Sequence, residues 1–551
     1  MADNGRASRT RLDTSETSRS VVNETTTSPV SLPPVMSTLP HSIWLHVAQY
    51  LSPLFLRDLL TVNRTFFELA MDIRYRQLMF AYLDERMVKN LVRLKDPEVA
   101  KRVRIVHIDP SFIPLESSAH LCFTPSKPDC VIKHRSLRTI LGDIANLLLE
   151  QRNSRHPKYR IMQSLKRRDD IVELLSEVLA GLPNVTDYYV SWTGSAPVGS
   201  TTTHRIPASF LTSPFQPNLR KLSLNISLHN VPSLLTPTSR IPQQLEELHL
   251  SLHSEHVGDE KEITHILQHH LAPAVSQLEA SLKRLVISAW EPTDLSPLFD
   301  NLRHFPALDD LSINIPAQDC HLGDPAGLNG FLSRHQSTLR CLRLRPTQYG
   351  GKELNQDSSS SLHEWIKDAT AGVNFTKLHV LDMTSSLFPV ATSLVCLQRF
   401  ARTLSSLSLT GAYRSYDDVA EAIQLSTHDS CASGRPGLLQ LRIGLVSLCP
   451  ELIDLIAEKL PNLQRLELLV KDIFPSIVGS RPSSPGDVQV PRRRQIEAFF
   501  SEMELRHYSS WKLECLAVLA DMLPEKACYE TSLEEVFFRC IPSLRSFTSP
   551  G

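Results

Sequence analysis

The sequence contains no run of about 18 apolar residues, the length a helix needs to cross a bilayer. Its N-terminal stretch, MADNGRASRTRLDTSETSRS, has none of the apolar character that a signal peptide requires. Both absences point to a chain of the cytoplasm or nucleus with no membrane partner. There is no excess of one charge either: 58 Lys and Arg stand against 59 Asp and Glu. No global field therefore draws the protein to nucleic acid or to an anionic surface. No CxxC pair occurs among the ten cysteines, which are scattered from Cys122 to Cys540. That excludes the usual zinc-site spacing and favours reduced thiols packed as small hydrophobes over a disulfide framework.

Catalytic signatures are missing as well. GGKELNQ at Gly350 lacks the upstream glycine and the Ser/Thr of a phosphate loop, and neither a nucleophile elbow nor a zinc-protease helix is present. The one polar constellation is His249, His253, His256, His265, His269 and His270, in which His265 and His269 stand one helical turn apart. A metal would need a third or fourth ordered ligand, which no motif supplies, so these histidines read as surface decoration. The basic runs at Lys166 and Arg492 read as solvated surface in the same way. No cofactor, no metal and no catalytic residue is expected.

What is there is leucine, in two patterns. Residues 1–38 are rich in Ser, Thr, Arg and Asn and cannot bury enough apolar surface to offset the entropy of ordering, so they read as a disordered tail. At Leu39 the composition changes. Apolar residues recur every three or four positions at Ile43, Val47 and Leu51, then Leu56, Leu59 and Leu60, then Phe66 and Leu69, which predicts three short helices. Ser52 followed by Pro53 suits a helix start. Thr65 with Glu68 suits a capping box, with Asn63 as the alternative cap. A unit of about forty residues is marginal alone and its apolar surface calls for a partner.

From about Lys101 one template returns about ten times, Leu-x-x-Leu-x-Leu with Ile, Val or Met allowed last. It begins at Leu219, Leu245, Leu282, Leu308, Leu339, Leu378, Leu404, Leu438, Leu463 and Leu513. Chance yields roughly three or four such matches. Residues at i+3 and i+5 share a face only in an extended strand, so each match is a short strand. Helical patterns fill the intervals, and proline precedes many strands, as at Pro183, Pro217, Pro306, Pro461 and Pro542. Strand-helix units of this kind cover one another only by stacking, which predicts an α/β solenoid with a parallel concave sheet and outer helices. Weaker matches at Val103-Val106-Ile108, Val185-Tyr188-Val190 and Leu533-Val536-Phe538 extend it, with inserted loops near 111–136, 191–216, 346–360 and 472–495.

Leu39-Pro40, Ile43-Trp44, Val47, Tyr50-Leu51, the leucine-rich second helix and Val62-Asn63-Arg64 with Phe66 together resemble the F-box, in the form common in fungal F-box proteins. The remainder resembles the leucine-rich class of these proteins, without the cysteine and Thr-Asp pair that regular members carry after the strand, so no particular target carries over. The resemblance implies residues 39–80 as F-box, 81–102 as a linker helix and 103–551 as the leucine-rich solenoid. It implies a non-catalytic adaptor of a ubiquitin ligase, bound to a Skp-type adaptor and through it to cullin and RING subunits. Leu39, Pro40, Ile43, Trp44, Val47, Leu51, Leu56, Leu59, Leu60, Val62 and Phe66 would make or support that interface. Strand alternation turns Ser223, Asn225, His249, Ser312, Asn314, Arg343, Arg345, Asp382, Arg442 and Glu467 away from the leucines. Of these Arg343, Arg345 and Arg442 are candidates for an anionic contact on a target protein. The plainer structural alternatives are helices that cap the first repeat and an irregular α/β domain; among functions, a leucine-rich scaffold acting outside a ligase is the runner-up and an enzyme a distant third.

Overall fold

A strand that alternates leucine with polar residues has one face to bury, and in this chain the neighbouring strand of the same sheet carries the same alternation. The computed structural model describes residues 41–59, 61–81, 85–109, 168–193, 218–235, 242–255, 257, 259–318, 321–348, 356–384, 386–427, 437–476, 492–520 and 526–548. The expected tail at 1–38 and the whole of the expected loop at 111–136 lie outside them. The chain divides into two compact units with the boundary at Ala70/Met71.

The larger unit is α/β, with one 14-stranded sheet in which every strand pairs with its sequence neighbours and all pairs are parallel. Its first half comprises β1 (Gln77–Phe80), β2 (Ile105–Ile108), β3 (Asp187–Trp192), β4 (Lys221–Ser227), β5 (Glu247–His253), β6 (Arg284–Ala289) and β7 (Asp310–Pro316). The second comprises β8 (Cys341–Thr347), β9 (Val380–Asp382), β10 (Ser406–Arg414), β11 (Gln440–Leu448), β12 (Arg465–Ile473), β13 (Cys515–Ala520) and β14 (Ser546–Thr548). This order is solenoid-like, since no strand is inserted out of sequence.

Register explains the template. Its second leucine falls in a single column, Leu222, Leu248, Leu285, Leu311, Leu342, Leu381, Leu407, Leu441, Leu466 and Leu516, each directly opposite the next. Val106 and Tyr188 continue the column upstream and Phe547 downstream. The column residues from Val106 to Leu516 are buried, as are all ten first-position leucines. At the strand entrances one carbonyl accepts two successive N–H groups from the next strand. Glu246 and Glu247 both donate to Arg220 O, and Lys283 and Arg284 to Glu246 O, a pattern that recurs as far as Arg545 and Ser546 on Glu514 O. Asn218 adds a side-chain link, its Nδ2 donating to Pro183 O at 2.9 Å.

The helices between strands form a second row, each packed on the next: Ser296–Asn301 on Pro325–Arg334, then Gln356–Ala369, Val390–Phe400, Tyr416–Thr427 and Pro450–Lys459. Their apolar stripes and the leucine face of the sheet make one continuous core. Several helices start at a proline, as at Pro325, where Asp324 caps the Ala326 N–H at 2.9 Å.

Two readings at the ends differ from the structure. Leu533-Val536-Phe538 is not a strand but part of the helix Lys526–Cys540; Leu533, Val536, Phe537 and Cys540 are buried at helical spacing and Phe538 is exposed. An i, i+3 pair is common to both patterns, and the buried i+4 residue marks the helix. The last strand instead uses Leu544 and Phe547. At the other end the sheet begins at Gln77, where Tyr75, Leu78 and Phe80 repeat the template spacing with aromatics in place of leucine. The helix Glu85–Leu94 buries Met87, Leu91 and Leu94 in the same core.

His335 shows how tightly that core is closed. Its fully buried ring donates from Nδ1 to Phe331 O at 2.8 Å and accepts at Nε2 from the Phe305 N–H at 2.9 Å, which requires the neutral form. Burial outweighs the Phe331 bond and pushes it from the usual 6.5 down to about 4. The unfolded chain takes up that proton near 6.5, so stability is unaffected above pH 7 and falls as pH drops from 6.5 towards 4. Urea midpoints measured across this range are expected to follow that course. His335→Phe should give a lower midpoint at pH 7 but a flatter slope, and an equally steep slope would place the titration elsewhere.

Candidate functional site

Two surfaces carry the residues singled out above. The first belongs to the smaller unit, built from α1 (His41–Gln49), α2 (Pro53–Asp58) and α3 (Arg64–Arg76), within which the boundary between the two units falls. Ser52 caps α2 as expected, accepting the Phe55 N–H at 3.2 Å. Asn63, rather than Thr65, caps α3, its Oδ1 accepting the Phe66 N–H at 2.9 Å. The core is small. Ala48, Leu56 and Phe66 are buried, Trp44, Leu51, Leu59 and Leu69 pack on them, and Trp44 meets Phe66 edge-on at 5.2 Å.

So of the expected contact residues Leu56 and Phe66 lie inside, Trp44, Leu51 and Leu59 are partly covered, and Ile43, Val47 and Val62 are exposed. Leu39, Pro40 and Leu60 lie outside the described residues. Leu45, Tyr50, Leu54, Phe55 and Phe67 are exposed too, with Tyr50 at 78 % and Leu54 at 69 %. Periodicity did not single out Leu45, Leu54, Phe55 and Phe67, because each lies beside the apolar stripe. The signal was the surplus, since so short a unit carries more large apolar side chains than it can cover.

The second surface is the sheet face turned away from the leucine column. Arg343, Arg345 and Arg442 all stand on it, and each is held by a carboxylate of the adjacent strand. Arg343 pairs with Asp310, Arg345 with Asp382 at 2.8 Å and Arg442 with Glu467 at 2.8 Å. The neutralisation is systematic. Asp187, Lys221, Glu247, Arg284 and Asp310 stand directly opposite one another with alternating sign, with Lys221 to Glu247 at 3.5 Å and Arg284 to Asp310 at 3.4 Å. Opposite charges across a ladder favour the observed neighbours.

His249 sits between Lys221 and Arg284; burial and those two cations push it down to about 4. Ser312 is buried, contrary to its expected exposure, because Val286 and Arg343 flank it in the row. Aromatics on this face stack on histidines, Tyr189 on His107 at 4.3 Å and Trp290 on His253 at 5.8 Å, and the Trp290 Nε1–H donates to Ser251 at 2.6 Å.

Groups suited to chemistry are sparse. His265 lies 4.5 Å from His269 and 5.8 Å from His270, ring to ring, along a helix with a π turn at Leu267–Leu271, and His256 lies outside the described residues. Among the described residues no group of three or more His, Cys, Asp or Glu is placed to hold a metal ion. Burial pushes the thiols of Cys341, Cys396 and Cys449 up to about 12, so they stay protonated. No described helix is long and apolar enough to cross a membrane. No protein-family model matches the chain, and no curated protein sequence matches it.

The charge row makes a stability prediction. Arg343→Glu sets a like charge against Asp310 and should cost roughly 1–2 kcal/mol, read as a lower melting temperature. Adding Asp310→Asn, which removes the like charge while leaving Arg284 opposite Glu247, should recover part of the loss. A single variant that melts with the native chain would show that the pair contributes nothing.

Proposed function

We propose that this chain is a non-catalytic adaptor: its N-terminal helices dock as an F-box on a Skp-type subunit of a ubiquitin ligase, and its leucine-rich sheet presents a target protein. The observation that carries the reading is the apolar surface of residues 41–70, where Ile43, Val47, Tyr50, Leu54 and Val62 face solvent around a core of Ala48, Leu56 and Phe66. A contiguous surface of this kind marks a site for a partner. The second support is the sequence resemblance over Leu39–Ala70. The sheet fits the other half of the role, because a long array of neighbour-bonded strands offers a broad preformed surface for a partner. On this reading the adaptor raises the effective concentration of its target near the ligase, and the transfer chemistry belongs to other subunits.

The test is copurification. The full chain is expected to bring down a Skp-type adaptor together with cullin. Ile43→Asp with Val62→Asp, two exposed positions whose change leaves the small core intact, should weaken that association at least tenfold while the melting temperature holds. Undiminished binding by the double variant would remove the assignment, and adaptor without cullin would favour a scaffold acting outside a ligase.

A further inference from the structure

The solvent-side rows of the sheet change character along the array. In one row the residues of β3 to β8 are Ser191, Asn225, Ser251, Ser288, Asn314 and Arg345, all polar. In the same row β11 to β13 carry Gly444, Leu469 and Leu519, with Ala517 beside them opposite Glu467 and exposed Val446 further along β11. Leucine, valine and alanine cluster here in a row that is polar from β3 to β8.

The strip is bordered by a built feature. The β10–β11 register breaks between Leu409 and Arg414, and the extra residues 410–413 rise as a bulge with Gly411 at φ 102°. Gly444 lies under it: a Cβ there would come within 2.5 Å of Ala412 O. The bulge is held from behind by Arg414, a buried guanidinium that donates to Leu409 O at 2.6 Å, Ala412 O at 3.3 Å and the Ser393 hydroxyl at 3.0 Å. A buried cation fixed on carbonyls is an expensive way to shape a loop, which marks the shape as rigid.

Charge completes the pattern. Arg465 and Lys471 are exposed on the same side of β12 as Leu469, and neither has an ion pair among the described residues, unlike Arg343, Arg345 and Arg442. They stand six residues apart, about 20 Å along a strand, with Leu469 between them.

We propose that the solvent face of β11–β13 is a docking site for an extended acidic segment of a partner protein. That segment is about six residues long, aliphatic in its middle and carboxylate-bearing at both ends. Its aliphatic side chains rest on Leu469, Leu519 and Val446 beside the bulge, and its carboxylates meet Arg465 and Lys471. This deepens the adaptor reading by giving the target surface a place and a chemistry. It also moves the anionic contact from the neutralised arginines to two cations that have no ion pair among the described residues.

The experiment uses the purified full chain and three fluorescein-labelled synthetic octapeptides: two leucines flanked by aspartates, the same leucines flanked by lysines, and aspartates flanking serines. Fluorescence anisotropy should show the aspartate-leucine peptide bound at least tenfold more tightly than either other. Leu469→Asp and, separately, Arg465→Glu with Lys471→Glu should each cost at least tenfold, while Trp290→Ala on the distant strands leaves binding unchanged. The charge-reversed double variant should now prefer the lysine-flanked peptide, a gain that misfolding could not produce. Equal binding of all three peptides, no binding of the first, or indifference to charge reversal would overturn the proposal. No ligase subunit is present in the assay, so these outcomes are independent of the adaptor assignment.

Discussion

A leucine in the register column can leave water only by lying between the same leucine of the strand before and the strand after. Leu311 has Leu285 on one side and Leu342 on the other, and neither contact exists until the neighbouring unit is in place. Burial of a leucine side chain is worth roughly 1.5–3 kcal/mol, while a lone strand-helix unit must pay for ordering some thirty residues with little else. Parallel pairing, single-file order and the row of helices behind the sheet all follow from that dependence. So does the tolerance of unequal intervals, since a long excursion between Val106 and Tyr188 leaves their pairing as direct as that of Leu441 with Leu466.

Much of the sheet was legible because its signal is local. Ten template matches became ten registered strands, and weak matches at Val106 and Tyr188 joined the same column. What failed was local too. Leu533-Val536 shares its spacing with a helix, and the aromatic version at Tyr75-Leu78-Phe80 escaped a leucine search. The capping of α3 turned on a choice between Asn63 and Thr65 that only backbone geometry decides. Expectations for the arginines were incomplete for a different reason. That Arg343 faces away from the core follows from alternation, but that Asp310 lies against it depends on a register that pairs Arg343 with Ser312 and so sets Asp310 diagonally beside it. Charge neutralisation is a property of neighbouring rows, and a single strand does not contain it.

The two surfaces differ in the way they are unfinished. In the helices of residues 41–70 the apolar side chains outnumber the positions that can shelter them, whereas the sheet face is almost completely settled by its own salt bridges and hydrogen bonds. Lys221 with Glu247, Arg345 with Asp382 and Asn314 with Ser288 leave little to attract a partner over most of its length. That settlement lapses in the aliphatic strip beside the Arg414-braced bulge, which is where the proposed docking site lies.

The shared carbonyls at the strand entrances carry a consequence for synthesis. Each of them, such as Arg220 O receiving Glu246 and Glu247, waits only for the next strand to arrive. A ribosome delivers strands in this same order, so each unit can be sealed onto the growing edge as it leaves the exit tunnel, with no need for distant C-terminal residues. The nascent protein lengthens like a row of bricks laid from one end. At each moment the edge that awaits its next strand is the one nearest the ribosome.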